Sequence, residues 1–120
     1  MKITASSALT LEEQVFEHKG YYWSVARLVT LSKDLPVFKV PLSHLDMSDT
    51  VEEGTLRQFV GQMQAVLDSD LSYPIILDED GSIMDGRHRL MKAIHLGKET
   101  IKVVRFEINP QPCGTVPCEN

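Results

Sequence analysis

Three basic side chains follow a glycine in the run Asp85-Gly86-Arg87-His88-Arg89, which joins a short apolar strand pattern to a helix pattern. The N-terminus of a helix carries a partial positive charge and main-chain N–H groups that have no partner within the helix. Basic residues in that turn cost about 0.3–1 kcal/mol each unless an anion compensates for them. The run therefore predicts that the first turn of this helix binds a phosphate or a similar anion.

Gly86, Arg87, His88 and Arg89 are the predicted anion-binding residues. Gly86 would let the main chain approach a phosphate closely, and the planar guanidinium of Arg89 could hold two of its oxygens. The alternatives are that Gly86 only forms a turn and that Arg89 only pairs with a neighbouring acid such as Asp85. Arg87 is either a second clamp or a solvated side chain, and the sequence leaves both open.

His88 and Asp85 are also candidate catalytic residues. An imidazole titrates near neutral pH, so His88 either contacts the phosphate and moves a proton or is a partly buried structural residue. Asp85 directly precedes the helix, and we expect its carboxylate to cap the first turn. Magnesium ligation or a substrate contact is the functional alternative for Asp85.

The acidic turn, the two cysteines and two further histidines give no metal or catalytic prediction. The acidic run Asp78-Glu79-Asp80-Gly81 is typical of a solvated hairpin turn. Cys113 and Cys118 are expected to be reduced and idle in a frayed tail, although a loop disulfide or half of a metal site is the alternative. His18 and His95 are expected at helix C-terminal ends, where positive charge suits the helix dipole.

A chain of 120 residues has room for one domain with its own core. Its longest apolar run falls short of the roughly 18 residues of a membrane span, and its first residues do not resemble a secretory signal, so we expect a cytoplasmic protein. The net charge of −5 and a pI of about 5.3 argue against general nucleic-acid binding. An anion site on this acidic protein must therefore be formed by a local cluster of basic residues.

The N-terminal third is predicted to be helical. Thr10-Leu11-Glu12-Glu13 forms a capping box that opens a helix to about Lys19. The aromatic run Tyr21-Tyr22-Trp23 is expected to close a small core, and Ser24 to cap a second helix. An edge strand is predicted over residues 35–42, where the exposed edge could pair with a second copy of the chain.

The remaining elements follow clear hydrophobic patterns. Thr50-Val51-Glu52-Glu53 is a second capping box, after which apolar residues at helical spacing predict an amphipathic helix: Leu56, Phe59, Val60, Met63, Val66 and Leu67. A strand over residues 73–77, an acidic turn and a return strand through Ile83 and Met84 make a hairpin. A helix over residues 86–96 and a strand over residues 101–106 complete the pattern.

Together these elements predict an α+β domain with a small mixed β-sheet and packed helices, covered mainly on one face. The core would span residues 35–108, preceded by a helical segment over residues 1–34 and followed by a tail over residues 109–120. The basic run then lies where a strand passes into a helix at the end of the sheet, which is a common place for a ligand crevice.

From about Phe38 to Phe106, the chain resembles the ParB/sulfiredoxin superfamily. The likeness lies in a strand ending in Val40-Pro41-Leu42, a long helix, Pro74-Ile75-Ile76-Leu77, a hairpin, the run from Asp85 to Leu90, and a helix ending in Leu96-Gly97. ParB-type proteins read Gly-Glu-Arg-Arg at the motif, and the resemblance implies that it holds nucleoside triphosphate phosphates. Sulfiredoxins carry a nucleophilic Cys where this chain has Arg87, so sulfinate reduction by that route is not implied.

The motif is most similar to the free-serine-kinase-like branch, which reads Asp-Gly-His-His-Arg. Asp85, Gly86, His88 and Arg89 correspond. That branch uses a carboxylate near the end of the first strand as a base, for which Asp46 is the nearest candidate, with Asp49 and Glu52 behind it. The resemblance thus implies ATP, ADP or CTP as the ligand, with Mg²⁺, and phosphotransfer or nucleotide hydrolysis. The alternative is a non-catalytic nucleotide-sensing module that regulates a protein or nucleic-acid complex.

Overall fold

Seven strands and three α-helices make up the part of the chain that the computed structural model describes, residues 14–46 and 54–115. A short 3-10 turn, Leu42–His44, follows the third strand. In chain order the elements are β1 Val15–His18, β2 Tyr21–Ser24, α1 Val25–Ser32, β3 Phe38–Pro41, α2 Leu56–Asp68, β4 Ile75–Leu77, β5 Ile83–Asp85, α3 Arg87–His95, β6 Thr100–Arg105 and β7 Gly114–Thr115.

The larger sheet has the strand order β3-β6-β4-β5 and is mixed. β4 and β6 run parallel, with Ile75 opposite Val103, whereas β3 and β5 pair antiparallel with their neighbours. Parallel pairing requires a crossover connection, and β5 together with α3 provides it. The predicted α+β class with a mixed sheet is therefore confirmed, as is the edge position of β3.

Both faces of this sheet are covered, so the prediction of a sheet covered mainly on one side is wrong. Alternate residues of a strand point to opposite faces, and both sets are buried here. Ile75 and Leu77 of β4 pack with Leu90 and Ala93 of α3 on one face. On the other face Ile76 packs in a second cluster: Trp23, Leu28, Met84, Val104 and Phe106.

A β-hairpin replaces the first predicted helix. Phe16 of β1 lies opposite Trp23 of β2, with ring centroids 5.7 Å apart, and His18 ends a strand instead of a helix. Lys19 and Gly20 both have positive φ, as a tight hairpin turn between twisted strands requires. The alternating aromatic pattern therefore outweighs the helix signal. The capping box at residues 10–13 lies outside the described residues.

Residues 110–115 dock on the hairpin, which corrects the prediction of a frayed tail. The indole Nε1 of Trp23 donates to the carbonyl of Pro110 at 2.8 Å, and the Cys113 N–H donates to the carbonyl of Tyr22 at 2.7 Å. Cys113 is a free thiol that accepts from the main-chain N–H of Ser24 at 3.3 Å, and this bond lowers the pKa of the thiol. Cys118 lies outside the described residues.

The helix starts follow local capping chemistry. The Ser24 hydroxyl accepts from the N–H of Arg27, which confirms the predicted cap of α1. α2 begins with a capping box between Thr55 and Gln58, and the box predicted at residues 50–53 lies outside the described residues. α2 packs on α3, and of its residues only Gly61 is buried.

No helix in the described ranges has the length and apolar character that crossing a membrane would require.

Candidate functional site

The basic run lies where β5 passes into α3, as predicted, and Gly86 is the N-cap of the helix. Its φ is 111°, a backbone conformation that side chains rarely adopt. A Cβ built on Gly86 would lie 2.9 Å from Cγ1 and 3.2 Å from Cα of Ile75, a core residue of β4. The glycine is therefore required by the close approach of the chain to the sheet, whatever ligand the site holds.

Asp85 does not cap α3, which corrects the prediction. No side chain makes a capping hydrogen bond to the first turn of this helix. Asp85 is the last residue of β5, and its Oδ2 instead accepts a hydrogen bond from the guanidinium of Arg89 at 3.0 Å. Asp85 and Arg89 are four residues apart, so the carboxylate reaches a side chain one helical turn further along instead of the first N–H groups of α3.

Arg89 connects α3 to the chain that enters β4. Its Nη2 donates to the carboxylate of Asp85 at 3.0 Å and to the carbonyl of Pro74 at 3.2 Å. Only about a fifth of its side chain is exposed, and its buried Nε has no hydrogen-bond partner in the described part of the chain. The structure thus shows the pairing alternative for Arg89, and contact with an anion stays a prediction.

His88 points to α2. Its Nε2 lies 2.7 Å from Oε1 of Gln62, and because an amide oxygen accepts, the neutral imidazole donates from Nε2. Burial lowers the pKa of His88 below 6.5, and the charge of Arg87 lowers it further, against an opposing effect of Asp85. His88 is therefore neutral at pH 7 and contributes a fixed hydrogen bond between two helices.

We predict that His88 makes the fold more sensitive to acid. Because the pKa is lower in the folded state than in the unfolded state, the unfolded chain binds more protons between these two values. The stabilising contribution of neutral His88 is complete above pH 6.5 and is lost as the pH falls through the lowered value. The free energy of unfolding, measured with urea at pH 7.5 and pH 5, should fall less in His88→Gln than in the wild type. Equal falls in the two proteins would contradict this role.

Arg87 and Asp46 complete the set of predicted residues. Arg87 is an exposed residue of the first turn of α3. Asp46 is exposed and follows Leu45, which packs in the same core cluster as Leu90 of α3. The loop that carries Asp46 therefore leaves the core on the face of the sheet that α3 covers. Asp49 and Glu52 lie outside the described residues.

Two residues that the sequence reasoning missed fix the helix pair. Gln62 binds His88, and the Lys92 ammonium donates to the carbonyls of Leu67 and Ser69 at 2.9 and 2.7 Å, at the C-terminal end of α2. Lys92 follows His88 by four residues, so both lie on one side of α3. That spacing was the only signal in the sequence, because the partners are distant along the chain.

The acidic turn is less solvated than predicted. Asp78 is only 1% exposed, and its Oδ1 accepts from the main-chain N–H groups of Asp80 and Ser82 at 2.9 and 2.8 Å. Glu79 and Asp80 are exposed, as expected of a hairpin turn. Within residues 14–46 and 54–115, no three His, Cys, Asp or Glu side chains cluster so that they could hold a metal ion.

Comparison with known proteins finds no match to this chain among protein-family models, curated proteins or solved structures. The resemblance to the ParB/sulfiredoxin superfamily therefore rests on the motif residues and their order and remains a prediction.

Proposed function

We propose that this protein binds the phosphate groups of a nucleotide at the N-terminus of α3. The observation that carries the proposal is the composition of this turn. Its N-cap is a glycine, no side chain caps it, it contains no acidic residue, and its first three residues are Arg87, His88 and Arg89. The orphan N–H groups and the dipole of such a turn favour an anion.

The contacts divide the predicted anion-binding residues into two groups. Arg89 and His88 already bond to other parts of the chain, so their part is to fix α3 against β4 and α2. The ligand would contact the main-chain N–H groups of the first turn and the guanidinium of Arg87, an exposed residue of the same turn. Asp85 is the carboxylate nearest in sequence to this turn, and it would contact a Mg²⁺ ion brought by the nucleotide.

The test is isothermal titration calorimetry of ATP, ADP, CTP, GTP and pyrophosphate, each with and without Mg²⁺. We expect saturable binding by the wild type and at least about tenfold weaker binding by Arg87→Ala, because a charged hydrogen bond contributes about 1.5–3 kcal/mol. Lys98→Ala is the matched control, since it removes one positive charge just beyond the other end of α3. Equal losses in the two variants, or no binding by the wild type, would contradict the proposal.

A non-catalytic nucleotide sensor is the second candidate, as opposed to a kinase or nucleotide hydrolase. The specific observation in its favour is that two candidate catalytic residues bond within the chain: Asp85 pairs with Arg89, and His88 bonds to Gln62. A sensor of this kind would regulate a protein or nucleic-acid complex. For a kinase or nucleotide hydrolase, Asp46 is the candidate base.

The two candidates differ in turnover. A hydrolysing enzyme releases phosphate from bound nucleotide at a rate that Asp46→Asn lowers, whereas a sensor binds the same nucleotide without releasing phosphate. Phosphate release should therefore be measured at nucleotide concentrations that calorimetry shows to be saturating. A kinase would be recognised by phosphate transfer to free serine or another hydroxyl compound added to the same assay.

A further inference from the structure

The guanidinium of Arg89 uses only part of its hydrogen-bonding capacity. Within the described residues, both hydrogen bonds of this side chain start from Nη2, which donates to Asp85 at 3.0 Å and to the carbonyl of Pro74 at 3.2 Å. The neighbouring Nε is buried and has no partner there. A guanidinium offers five N–H donors in a planar fork, and a buried donor without a partner is unfavourable. The edge formed by Nε and Nη2 is therefore incompletely used.

This edge lies beside the start of α3. A Cβ built on Gly86 would come within 3.0 Å of Nη2 of Arg89, so only a glycine lets the guanidinium approach the N-cap this closely. The first N–H groups of a helix have no partner within it. The Arg89 cation and these donors therefore lie in the same turn, to which the proposed function assigns an anion.

Asp85 holds Arg89 through a single contact. One oxygen, Oδ2, accepts from one nitrogen, Nη2, whereas the strong form of an arginine–carboxylate pair has two parallel hydrogen bonds. The side chains of Arg89 and Asp85 are 20% and 21% exposed, so water or a ligand can reach the pair. Ion pairs that solvent can reach contribute little to stability. The carboxylate is therefore a partner that a better anion can displace.

We propose that the Asp85 carboxylate is an internal competitor for the anion site, which a phosphate group displaces from Arg89. This inference rests on the proposed phosphate binding at the N-terminus of α3. The displacing phosphate accepts from Nη2 and Nε together, because two of its oxygens match the planar fork. The bond from Nη2 to Pro74 remains, so Arg89 still connects α3 to the chain that enters β4.

The exchange makes the site selective for phosphate groups that carry Mg²⁺. The displaced Asp85 carboxylate lies beside the negative charge of the phosphate, and a Mg²⁺ ion that contacts both removes this repulsion. An anion without a metal ion must displace Asp85 without that compensation. The ligand class is therefore a Mg²⁺-bound diphosphate or triphosphate rather than free phosphate or another metal-free anion.

The structural alternative is that the pair of Asp85 and Arg89 only stabilises the start of α3. Removing the carboxylate would then leave anion binding unchanged or weaken it. An internal competitor predicts the opposite, because it reduces the apparent affinity to the fraction of molecules in which the site is open. The direction of the effect of Asp85→Asn on anion affinity therefore separates the two roles.

The first test is isothermal titration calorimetry of pyrophosphate in the presence of EDTA. Asp85→Asn keeps a side-chain oxygen for Arg89 but removes the charge, and we expect it to bind metal-free pyrophosphate at least about fivefold more tightly than the wild type. Asp80→Asn is the matched control, because it removes the same charge from an exposed residue of the turn between β4 and β5. Its dissociation constant should stay within about twofold of the wild-type value, because salt screens distant charges.

A second variant separates competition for the guanidinium from simple loss of charge repulsion. Arg89→Lys retains the positive charge and a donor for Pro74, but an ammonium lacks the planar fork. In the Arg89→Lys background, Asp85→Asn should therefore tighten pyrophosphate binding by less than about twofold. NMR of the arginine side-chain nitrogens gives a direct readout in the wild type. The Nε–H resonance of Arg89 should move downfield when pyrophosphate binds, because Nε then gains an anionic acceptor.

Magnesium provides the third comparison. Adding Mg²⁺ should tighten pyrophosphate binding by the wild type at least about fivefold more than binding by Asp85→Asn, because only the wild type has a carboxylate there to contact the metal. The change that Mg²⁺ causes in pyrophosphate itself is common to both proteins and cancels in this comparison.

Three results would overturn the inference. In the first, Asp85→Asn binds metal-free pyrophosphate no more tightly than the wild type, and in the second it gains as much affinity in the Arg89→Lys background. Either result would make the pair structural, and the proposed function would still stand if the wild type binds and Arg87→Ala binds more weakly. The third is no pyrophosphate binding by the wild type and by Asp85→Asn alike, which would overturn both proposals.

Discussion

Replacing Gly86 with alanine lowers the free energy of unfolding by about 3 kcal/mol or more, the largest loss that we expect from any single change near the site. Two costs add. A side chain at a φ of 111° strains the backbone, and its Cβ would lie 2.9 Å from Cγ1 of Ile75. Ile75 is fully buried in β4, so it cannot move aside. Thermal unfolding should show the loss as a Tm lower by more than about 10 °C.

Gly97→Ala is the matched control for this experiment. Gly97 follows the opposite end of α3 and also has positive φ, but a Cβ there meets no atom within 4 Å. Its replacement therefore costs only the backbone strain, about 1–2 kcal/mol. The difference between the two variants measures the close approach of Gly86 to Ile75. Equal losses of unfolding free energy would mean that the contact of a Cβ with Ile75 costs nothing and that only the backbone conformation requires glycine.

The second half of the fold was predictable because its signals are local. The stripe of α2 has helical spacing, the hairpin of β4 and β5 surrounds an acidic turn, and α3 ends before a glycine. Each of these patterns is complete within about 15 residues, so no distant contact is needed to interpret it. The structure confirms these elements within a few residues at their ends.

The N-terminal hairpin was not predictable in the same way, because two local signals compete there. An acidic capping box and a following glycine favour a helix up to Lys19, whereas alternating Phe16, Tyr21 and Trp23 favour strands. Contacts from residues about 90 positions away decide between them, since Pro110 accepts from Trp23 and β7 pairs with β2. Such contacts leave no mark on the local sequence.

The candidate site was also predictable only in part. The position of the basic run at the start of α3 was predictable, because a glycine and three basic side chains after a strand form a local pattern. Their partners were not: Arg89 bonds to Pro74, and His88 to Gln62, which are 15 and 26 residues away. These bonds show that Arg89 and His88 support α3. We therefore expect Arg89→Ala to lower the free energy of unfolding by more than the partial exposure of Arg89 alone would suggest, because its bonds to Pro74 and Asp85 are lost.

Asp78→Ala should lower the free energy of unfolding by about 2–3 kcal/mol, because it removes a buried acceptor that serves two main-chain N–H groups. The N–H groups of Asp80 and Ser82 would then lack a partner within the turn. Asp78→Asn keeps one side-chain oxygen and should retain part of this stability. Urea unfolding of the three proteins at pH 7 gives the comparison.

Asp80→Ala is the control, since the Asp80 side chain is exposed in the same turn while its main-chain N–H remains. We expect a change within about 0.5 kcal/mol. The hairpin that Asp78 closes also positions β5 beside β4. β5 ends at Asp85, the partner of Arg89. Hydrogen exchange of the β5 amides should therefore accelerate in Asp78→Ala but not in Asp80→Ala. If both variants behaved alike, the chain geometry of the turn rather than its buried carboxylate would hold the candidate site in place.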